Sequence, residues 1–457
     1  MKRSHEIDMT DGPIFSKIVL FSLPLMLTGI LQLLFNAADV VVVGKFAGST
    51  SLAAVGSTGA LINLLVNLFI GTSTGANVLA ARFYGSRDYR ELERCVHCSM
   101  GLSAVLGVFV GIWGFFLSTP MLRLMNTDPA VLPLASLYLR IYFLGIPATV
   151  VYNFGAAILR SVGDTDRPLL FLLFSGVINV ILNLILVIAF RLDVAGVAIA
   201  TVVSQYVAAV LVVLCLIRSE GPYRLRPNQI RFYKDMLLKI VQIGFPAGLQ
   251  GAIFSFSNVI IQSAINSFGY VTMAGNSAAG NLDGFIYISM NSVYHAALSF
   301  TSQNMGARKL DRVNKVAIGC VTLVTAIGLV MTAIVYLLGP QLLSLYVSSS
   351  DADRDAVIAV GMIRLTYVGL PYFVCGLMEV GCGALRGLGK SWLPLIISTL
   401  GACVFRIIWI YTVFAAHPTL ETLYISYLIS WVLTTAAHFT ALFLTRRKMK
   451  EQFSAAN

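Results

Sequence analysis

Charged residues are scarce in this sequence, and only one polar stretch, near the middle of the chain, is longer than a short loop. Asp, Glu, Lys and Arg make up 12% of the 457 residues, whereas 57% are hydrophobic and the mean hydropathy is +0.82. A typical soluble domain contains about 25% charged residues. The composition therefore excludes a soluble globular protein and favours a chain that lies within a lipid bilayer.

Motifs for enzymatic chemistry are also lacking. Gly389-Lys390-Ser391 resembles the end of a phosphate-binding loop, but Ala384 occupies the place of the first required glycine. The sequence has no H-E-x-x-H zinc-binding helix motif. Its seven cysteines show no disulfide framework, and Cys95-Val-His-Cys98 has no second Cys/His pair nearby. We expect neither an enzyme nor a cofactor or metal.

The sequence contains instead a series of apolar runs, each of about 20 residues or more, enough to cross a hydrocarbon core of roughly 30 Å. We predict an all-α polytopic membrane protein with twelve transmembrane helices. Their approximate spans are 15–43, 53–81, 96–118, 131–158, 168–190, 195–217, 237–267, 273–303, 315–338, 356–383, 393–416 and 422–445.

Several short motifs occur twice in the same order. The pairs are Pro24 and Pro246, Asn36 and Asn258, Gly85-Ser86-Arg87 and Gly306-Ala307-Arg308, and Leu159-Arg160-x-x-Gly163 and Leu385-Arg386-x-x-Gly389. Duplication is typical of secondary transporters, and an even number of spans in each half makes the repeats parallel. We predict two six-helix lobes, 1–217 and 237–457, related by a pseudo-two-fold axis and joined by a basic cytoplasmic linker, 218–236.

Basic residues orient these helices. If the N-terminus is cytoplasmic, most of the 32 Lys and Arg residues fall in cytoplasmic loops, as the positive-inside rule requires. We therefore predict a multi-pass protein of the plasma (inner) membrane with both termini in the cytoplasm. The net charge of +11 then reflects topology and contact with the lipid bilayer, and we expect no nucleic-acid partner.

Carboxylates inside predicted spans are the sharpest functional signal. Three such residues are present, Asp39, Asp283 and Glu379, and a charge there costs at least roughly 2.5 kcal/mol, so it usually faces a cavity or a partner. Asp39 shares one helix face with Gln32 and Asn36. A purely structural alternative stays open for the other two acids, because Arg406 could pair with Glu379 or Asp283. We expect Arg140 and Arg364 to extend to the outer surface of the membrane or to form a pair near it.

Other polar residues follow one another at helical spacing, which predicts a hydrated cavity in each half. They are Asn179 and Asn183 in the fifth span, Asn258 with Gln262 and Asn266 in the seventh, and Asp283, Tyr287, Asn291 and His295 in the eighth. For any single asparagine, an interhelical hydrogen bond is the competing interpretation.

The chain resembles the multidrug and toxic compound extrusion (MATE) family of cation-coupled efflux transporters. The resemblance extends from about Ile14 to Arg446. It rests on Phe35-Asn36-Ala37-Ala38-Asp39, on the segment from Asn153 to Asp164, on the segment from Ala195 to Gln205, and on Gln303-Asn304-Met305-Gly306-Ala307. Two six-helix lobes are also the architecture that this resemblance implies.

The resemblance implies a cation site in the first lobe. It assigns Asp39 as the carboxylate, with Asn153, Asn179 and Thr201 as polar partners; Asn183 stands where some members have a second aspartate. Phe254 and Cys375 occupy the places of two acids that another branch uses. The pattern therefore resembles the DinF-like, proton-linked side of the family more than its NorM branch.

We therefore expect a monomeric antiporter, driven by H⁺ or Na⁺, that exports amphipathic, mostly cationic organic compounds by alternating access. The cation-coupling set is Asp39, Asn36, Asn153, Asn179, Asn183 and Thr201; the substrate-binding set is Asp283, Glu379, Tyr287, Asn291, His295, Gln32 and Asn258. The alternatives are a lipid-linked oligosaccharide flippase of the same superfamily and, more remotely, a polytopic membrane enzyme.

Overall fold

A computed structural model describes residues 6–347 and 353–455, apart from the side chains of residues 49, 60, 454 and 455. All of its regular elements in this part of the chain are helical. The long helices are α1 Ile14–Ala47, α2 Ser49–Ser86, α3 Tyr89–Leu124, α4 Leu132–Ser161, α5 Asp166–Ala189, α6 Asp193–Arg218, α7 Lys234–Asn266, α8 Tyr270–Gly306, α9 Leu310–Leu337, α10 Arg354–Gly369 with Tyr372–Gly387, α11 Trp392–Phe414 and α12 Leu420–Ala455.

The length and composition of these helices fit a polytopic membrane protein. Ten of them are long and apolar enough to cross a membrane, and the two parts of α10, bent by 41°, form an eleventh candidate span. Helix α8 has 37 residues, which is long enough, but its polar side chains lower its hydropathy. Adding α8 to the eleven spans gives twelve, so the predicted all-α fold is confirmed.

Contacts divide the chain into two compact units. Unit 1 contains Leu27–Gly248 and the described residues before Met9, and unit 2 contains Met9–Met26 and the described part of Leu249–Asn457. The change of unit within α1 lies close to Pro24, which removes a helical hydrogen bond and eases bending. The lobe boundaries 1–217 and 237–457 stay a prediction.

The duplicated motifs coincide with backbone that must turn left-handed. Arg87 after α2 has a φ of 58°, and Arg308 after α8 has a φ of 57°. Gly163 after α4 has a φ of 90°, and Gly389 after α10 has a φ of 84°. A left-handed residue commonly ends a helix, and glycine adopts that conformation without a Cβ clash. These repeated residues therefore end equivalent helices in the two halves.

The N-terminal segment and the linker meet within unit 1. Glu6 accepts hydrogen bonds from the hydroxyls of Tyr84, at 2.8 Å, and Tyr223, at 2.9 Å. Tyr223 lies in the linker, outside the spans, and burial raises the pKa of its hydroxyl to about 12. The hydroxyl therefore stays protonated and keeps donating to Glu6 at physiological pH.

Several long helices contain π-helical segments at their polar residues. Leu184–Ala189 follows Asn183 directly, Leu365–Gly369 follows Arg364, and Thr399–Val404 and Ile410–Phe414 flank the short α-helical turn that carries Arg406. π-helical turns are rare and occur frequently at functional sites, because the extra residue frees backbone groups and redirects side chains. These segments therefore lie directly beside three polar or charged residues within the spans, Asn183, Arg364 and Arg406.

Candidate functional site

A carboxylate and three polar side chains meet inside unit 1. Asn183 of α5 donates through Nδ2 to Oδ1 of Asp39 in α1, and the same nitrogen lies 3.3 Å from Oδ1 of Asn179. Asn179 in turn donates to Oγ1 of Thr201 in α6, at 3.5 Å, and Thr201 is also within hydrogen-bonding reach of Asp39. We call Asp39, Asn179, Asn183 and Thr201 the Asp39 cluster.

The sequence brings this cluster together through helical spacing and one glycine. Gly176, Asn179 and Asn183 share a face of α5, since they are separated by one and two helical turns. A Cβ at Gly176 would lie 1.9 Å from the ring of Phe35, which is one turn before Asp39 in α1. The missing side chain therefore lets α1 approach α5 closely enough for the Asp39 and Asn183 side chains to meet.

The oxygen of Asn183 is an unsatisfied acceptor beside a carboxylate. Asn183 is fully buried, and its Oδ1 has no hydrogen-bond partner among the described residues. A buried amide oxygen without a donor costs about 1–3 kcal/mol. The arrangement of Asp39, this oxygen and the Thr201 hydroxyl can therefore accept a proton or a small cation, either of which adds the missing positive partner.

Two other members of the predicted coupling set lie differently. Asn153 donates to the carbonyl oxygen of Thr149 in its own helix at 2.8 Å, and Asn36 is exposed. Sequence analysis missed Tyr138 of α4, a buried residue within electrostatic range of Asp39 that stacks on Tyr142 at 6.3 Å between ring centroids. Nothing in the sequence indicated Tyr138, because no amide or carboxylate side chain lies one or two helical turns from it along α4.

Replacing Gly176 with valine is expected to separate α1 from α5. The added side chain cannot fit at 1.9 Å from the Phe35 ring, so the Asp39–Asn183 hydrogen bond must lengthen or break. We expect transport to fall well below half of the wild-type rate while the protein still reaches the membrane. Initial rates in proteoliposomes measure this, and the reconstituted amount of each protein gives the normalisation. A variant with wild-type transport would refute the close approach.

Unit 2 carries a buried ion pair rather than a free aspartate. Asp283 of α8 is 3% exposed, and its Oδ2 accepts from Nε of Arg364 in α10 at 2.9 Å. Nη1 of Arg364 donates to Oδ1 of Asn276 at 2.7 Å, and this oxygen also accepts from the Tyr424 hydroxyl at 3.1 Å. Asn276 continues to Gln262 at 3.2 Å. A polar network thus crosses α7, α8, α10 and α12.

This network shows the partner of one intramembrane arginine. Arg364 is 13% exposed and pairs with Asp283, because the pair neutralises two charges that are costly in a bilayer. Its position relative to the outer membrane surface stays a prediction. Arg406 has no carboxylate within 4.0 Å among the described residues, so the suggested pairing with Asp283 or Glu379 is not formed. Arg140 does lie exposed, and it donates to Oγ1 of Thr119 at 3.2 Å.

Removing one partner of the Asp283–Arg364 pair is expected to destabilise the protein strongly. Asp283→Leu leaves Arg364 as a buried unpaired charge, which costs roughly 3–5 kcal/mol. The double variant Asp283→Leu with Arg364→Leu should recover much of this loss, because no lone charge remains. Thermal unfolding in detergent measures all three proteins. Equal melting temperatures for wild type and Asp283→Leu would contradict a structural role of the pair.

The remaining predicted substrate residues are more accessible than Asp283. Glu379 is partly exposed, and Tyr287 of α8 is 37% exposed and lies within electrostatic range of it. Asn291 donates to the Tyr287 hydroxyl at 3.5 Å, and His295 contacts the edge of the Tyr294 ring at 5.0 Å. Gln32 and Asn258 are exposed. Glu379 is therefore the carboxylate of unit 2 that remains available to an organic cation.

Sequence analysis also missed Arg386, which belongs to a repeated motif. It is 6% exposed, and it donates to the Tyr294 hydroxyl at 2.6 Å and to Oε1 of Gln250 at 2.8 Å. Arg386 stands at the same place in its repeated motif as Arg160, so the sequence did single it out. The motif indicated only the end of a helix and not these hydrogen bonds. No group of His, Cys, Asp and Glu that could hold a metal ion occurs among the described residues.

Two curated bacterial proteins are similar in sequence to this chain over most of its length. The chain is 29% identical over 400 residues to the probable multidrug resistance protein YpnP of Bacillus subtilis (strain 168), which covers 87% of this chain and 88% of that protein. It is 23% identical over 378 residues to the multidrug export protein MepA of Staphylococcus saprophyticus, with 83% of each chain covered.

Solved structures share the fold over nearly the whole chain. A multidrug resistance MATE family transporter of the MOP superfamily, in an outward-facing conformation, matches with a TM-score of 0.91 and 23% identity, covering 99% of this chain and 100% of that one. A MATE protein in complex with MaL6 matches with a TM-score of 0.90 and 22% identity, covering 97% and 98%. The MatE family model matches residues 24–185 and 246–412, one segment in each half. The chain therefore belongs to the MatE family.

Proposed function

We propose that this MATE protein is a cation-coupled antiporter that exports amphipathic, mostly cationic organic compounds. The observation that carries the proposal is the Asp39 cluster, in which a single carboxylate lies beside an amide oxygen without a donor. Relatives named for multidrug resistance and multidrug export support the choice of organic compounds as substrates. No step of this reaction makes or breaks a covalent bond in the substrate, so the protein acts as a transporter rather than an enzyme.

The coupling step that we propose is the neutralisation of Asp39. When H⁺ or Na⁺ binds, the negative charge of Asp39 is neutralised, its hydrogen bond from Nδ2 of Asn183 loses its charge assistance, and the hydrogen bonds to Asn179 and Thr201 can rearrange. Helix α1 carries Asp39 in unit 1 and Pro24 in the part that groups with unit 2. A change in packing around Asp39 can therefore alter the bend of α1 near Pro24, which is the element that alternating access needs.

We assign the coupling ion to H⁺ and the chain to the DinF-like side of the family. Hard metal cations in proteins are held by several oxygen ligands. The Asp39 cluster has one carboxylate, and Asn183 stands where some members of the family have a second acid. A proton needs only one carboxylate oxygen, so this cluster suits H⁺ better than Na⁺.

Unit 2 supplies the substrate contacts in this proposal. Glu379 is partly exposed and provides the negative charge for an organic cation, while Tyr287 provides an aromatic face that stabilises such a cation. Asp283 is less suited to this task because Arg364 already neutralises it. The two halves thus divide the labour, with ion coupling in unit 1 and substrate recognition in unit 2.

Transport by purified protein in liposomes tests the proposal. Ethidium uptake is measured with an imposed pH gradient, with an imposed sodium gradient, and with neither. We expect uptake with the pH gradient alone and release of protons when ethidium is added. Uptake with the sodium gradient alone would transfer the coupling role to Na⁺. Translocation of a lipid-linked oligosaccharide without any gradient, together with no ethidium uptake, would replace the proposal by the flippase alternative.

Orientation and oligomeric state belong to the same proposal. We propose a monomer in the plasma membrane with both termini in the cytoplasm, because the basic loops then face the anionic inner leaflet. Cysteine labelling in whole cells tests this topology. A single cysteine is introduced at Lys234 in the linker or at Arg191 between α5 and α6, and each protein is treated with an impermeant reagent. Labelling from outside is expected at position 191 and not at position 234.

A further inference from the structure

Arg406 is a buried cation of unit 2 with no counter-ion among the residues that the structure describes. It lies in the α-helical turn Phe405–Trp409 of α11 and is 3% exposed. Nε donates to Oγ of Ser430 at 2.8 Å, but Nη2 is buried and has no hydrogen-bond partner in the described part of the chain. A charged group of this kind inside a membrane span usually marks a substrate or ion path, because its desolvation cost must be offset when the protein works.

The surroundings of Arg406 stabilise its charge only in part. The guanidinium carbon lies 4.1 Å from the centroid of the Tyr427 ring and 5.6 Å from that of Trp431, and these two rings meet edge to face at 5.7 Å. An aromatic face gives a desolvated cation about 2 kcal/mol, less than a full negative charge supplies. Aromatic contacts also fix the plane of the guanidinium, which orients its free nitrogen.

The other buried arginines of unit 2 have more partners. Arg364 has a counter-ion in Asp283, and Arg386 donates to two acceptors, Tyr294 and Gln250, although its Nε has no hydrogen-bond partner among the described residues. Glu379, the remaining acid, forms no ion pair within 4.0 Å in the described part of the chain. Cys375 lies within electrostatic range of Arg406, whereas the cation within electrostatic range of Glu379 is Arg386.

Helix α11 is distorted on both sides of Arg406. The π-helical segments Thr399–Val404 and Ile410–Phe414 enclose the turn that carries it. This distortion is independent of the missing counter-ion, and π-helical turns are frequent at ligand sites. Two separate features, the missing counter-ion and the distorted helix, therefore indicate the same residue.

We propose that Arg406, together with Ser430 and the Tyr427 and Trp431 rings, forms a subsite for an anionic group of the substrate, a carboxylate or a phosphate. The planar guanidinium suits both oxyanions, because it can offer parallel N–H donors. This inference rests on the proposed function, since it assumes that unit 2 binds an organic substrate. Since Glu379 of the same unit is proposed to hold the cationic group, the preferred substrates are aromatic compounds that carry an amine and an acidic group together.

Equilibrium binding to purified protein tests the subsite. The probes are an aromatic amine that carries a carboxylate and the methyl ester of the same compound, measured with wild type, Arg406→Gln and Arg406→Lys. We expect Arg406→Gln to weaken binding of the acid at least tenfold and to leave binding of the ester unchanged. Arg406→Lys should bind the acid with intermediate affinity, because it keeps the charge and loses the planar donor pair.

Several results would overturn the subsite. An equal loss for acid and ester would make Arg406 a purely structural residue, and wild-type binding of both probes by Arg406→Gln would remove it from recognition. The matched control is Arg140→Gln, an exposed arginine within a span of unit 1, which should bind both probes as the wild type does. If wild type binds neither probe but still transports ethidium, the subsite fails and the antiporter function stands.

A competition arm distinguishes the two sources of the anion. A short-chain polyprenyl phosphate that displaces the acid from wild type, and does so less well from Arg406→Gln, assigns the subsite to a lipid-borne phosphate. Absence of competition with retained binding of the acid assigns it to the carboxylate of a soluble compound. Both results support an anion subsite at Arg406.

Discussion

Asp39→Asn is expected to abolish gradient-driven export while the protein still folds and binds substrate. Asparagine has almost the same shape as aspartate, but it cannot take up and release a proton or hold a full negative charge. Asn183 can keep donating to the amide oxygen at position 39, so the packing of α1 on α5 survives. The variant therefore retains the geometry of the Asp39 cluster and loses only the charge that changes during the cycle.

Ethidium transport into proteoliposomes under a pH gradient measures this result. We expect uptake by Asp39→Asn at the level of empty liposomes, with ethidium binding to the purified protein near the wild-type affinity. The matched control is Asp193→Asn at the start of α6, where the aspartate is exposed and its φ of 45° is a conformation that asparagine also tolerates. Uptake by Asp39→Asn at the wild-type rate would show that Asp39 does not couple transport to the ion, and Glu379 would become the candidate for that role.

Much of this site could be predicted because helical periodicity is a local property. Asn179 and Asn183 share a face of their helix by spacing alone, and the structure joins them to Asp39 through Asn183. The duplicated motifs likewise predicted two similar halves, and two of the four pairs do end helices with a left-handed residue in each half. Helical periodicity does not show which residue of another helix a side chain contacts. Only the family resemblance suggested that Asp39 lies near Asn179.

The Asp283–Arg364 pair illustrates why the rest was out of reach. The two residues are separated by 81 positions in sequence, and neither helix pattern states which neighbour it faces. The sequence predicted that Arg364, about ten residues into its span, reaches the outer membrane surface or pairs near it, and it named no partner. The bend within α10 and the π-helical segment Leu365–Gly369 decide its direction, and hydropathy does not report either of them.

Close helix crossings were missed for a related reason. Gly71 and Gly75 of α2 and Gly244 and Gly248 of α7 each form a G-x-x-x-G motif, which in apolar helices marks faces that pack backbone to backbone. All four lie in unit 1, and they meet: a Cβ at Gly71 would be 2.2 Å from the backbone nitrogen of Gly248. Glycine is common in every span here, so the sequence alone did not distinguish these four from the others.

Gly75→Leu is expected to prevent this crossing and to remove transport completely. A Cβ at Gly75 would lie 2.1 Å from the carbonyl oxygen of Ile240, and one at Gly244 would lie 2.3 Å from that of Thr72. These neighbours are backbone atoms and cannot rotate away, so the two helices must separate along their whole contact. Even Gly75→Ala should reduce transport and lower the melting temperature, because its methyl group already occupies the forbidden space.

The same helix provides the control for this prediction. Gly56 and Gly59 of α2 have no heavy atom within 4 Å of an added Cβ, so alanine there should be tolerated and should even favour the helix by about 0.5–1 kcal/mol. Thermal unfolding and ethidium transport are measured for Gly75→Leu, Gly75→Ala, Gly56→Ala and Gly59→Ala. A clear order, with the first two impaired and the last two unchanged, assigns the effect to the crossing. Equal behaviour of all four would mean that α2 and α7 are not in backbone contact, and the glycine pairs would then have no packing role.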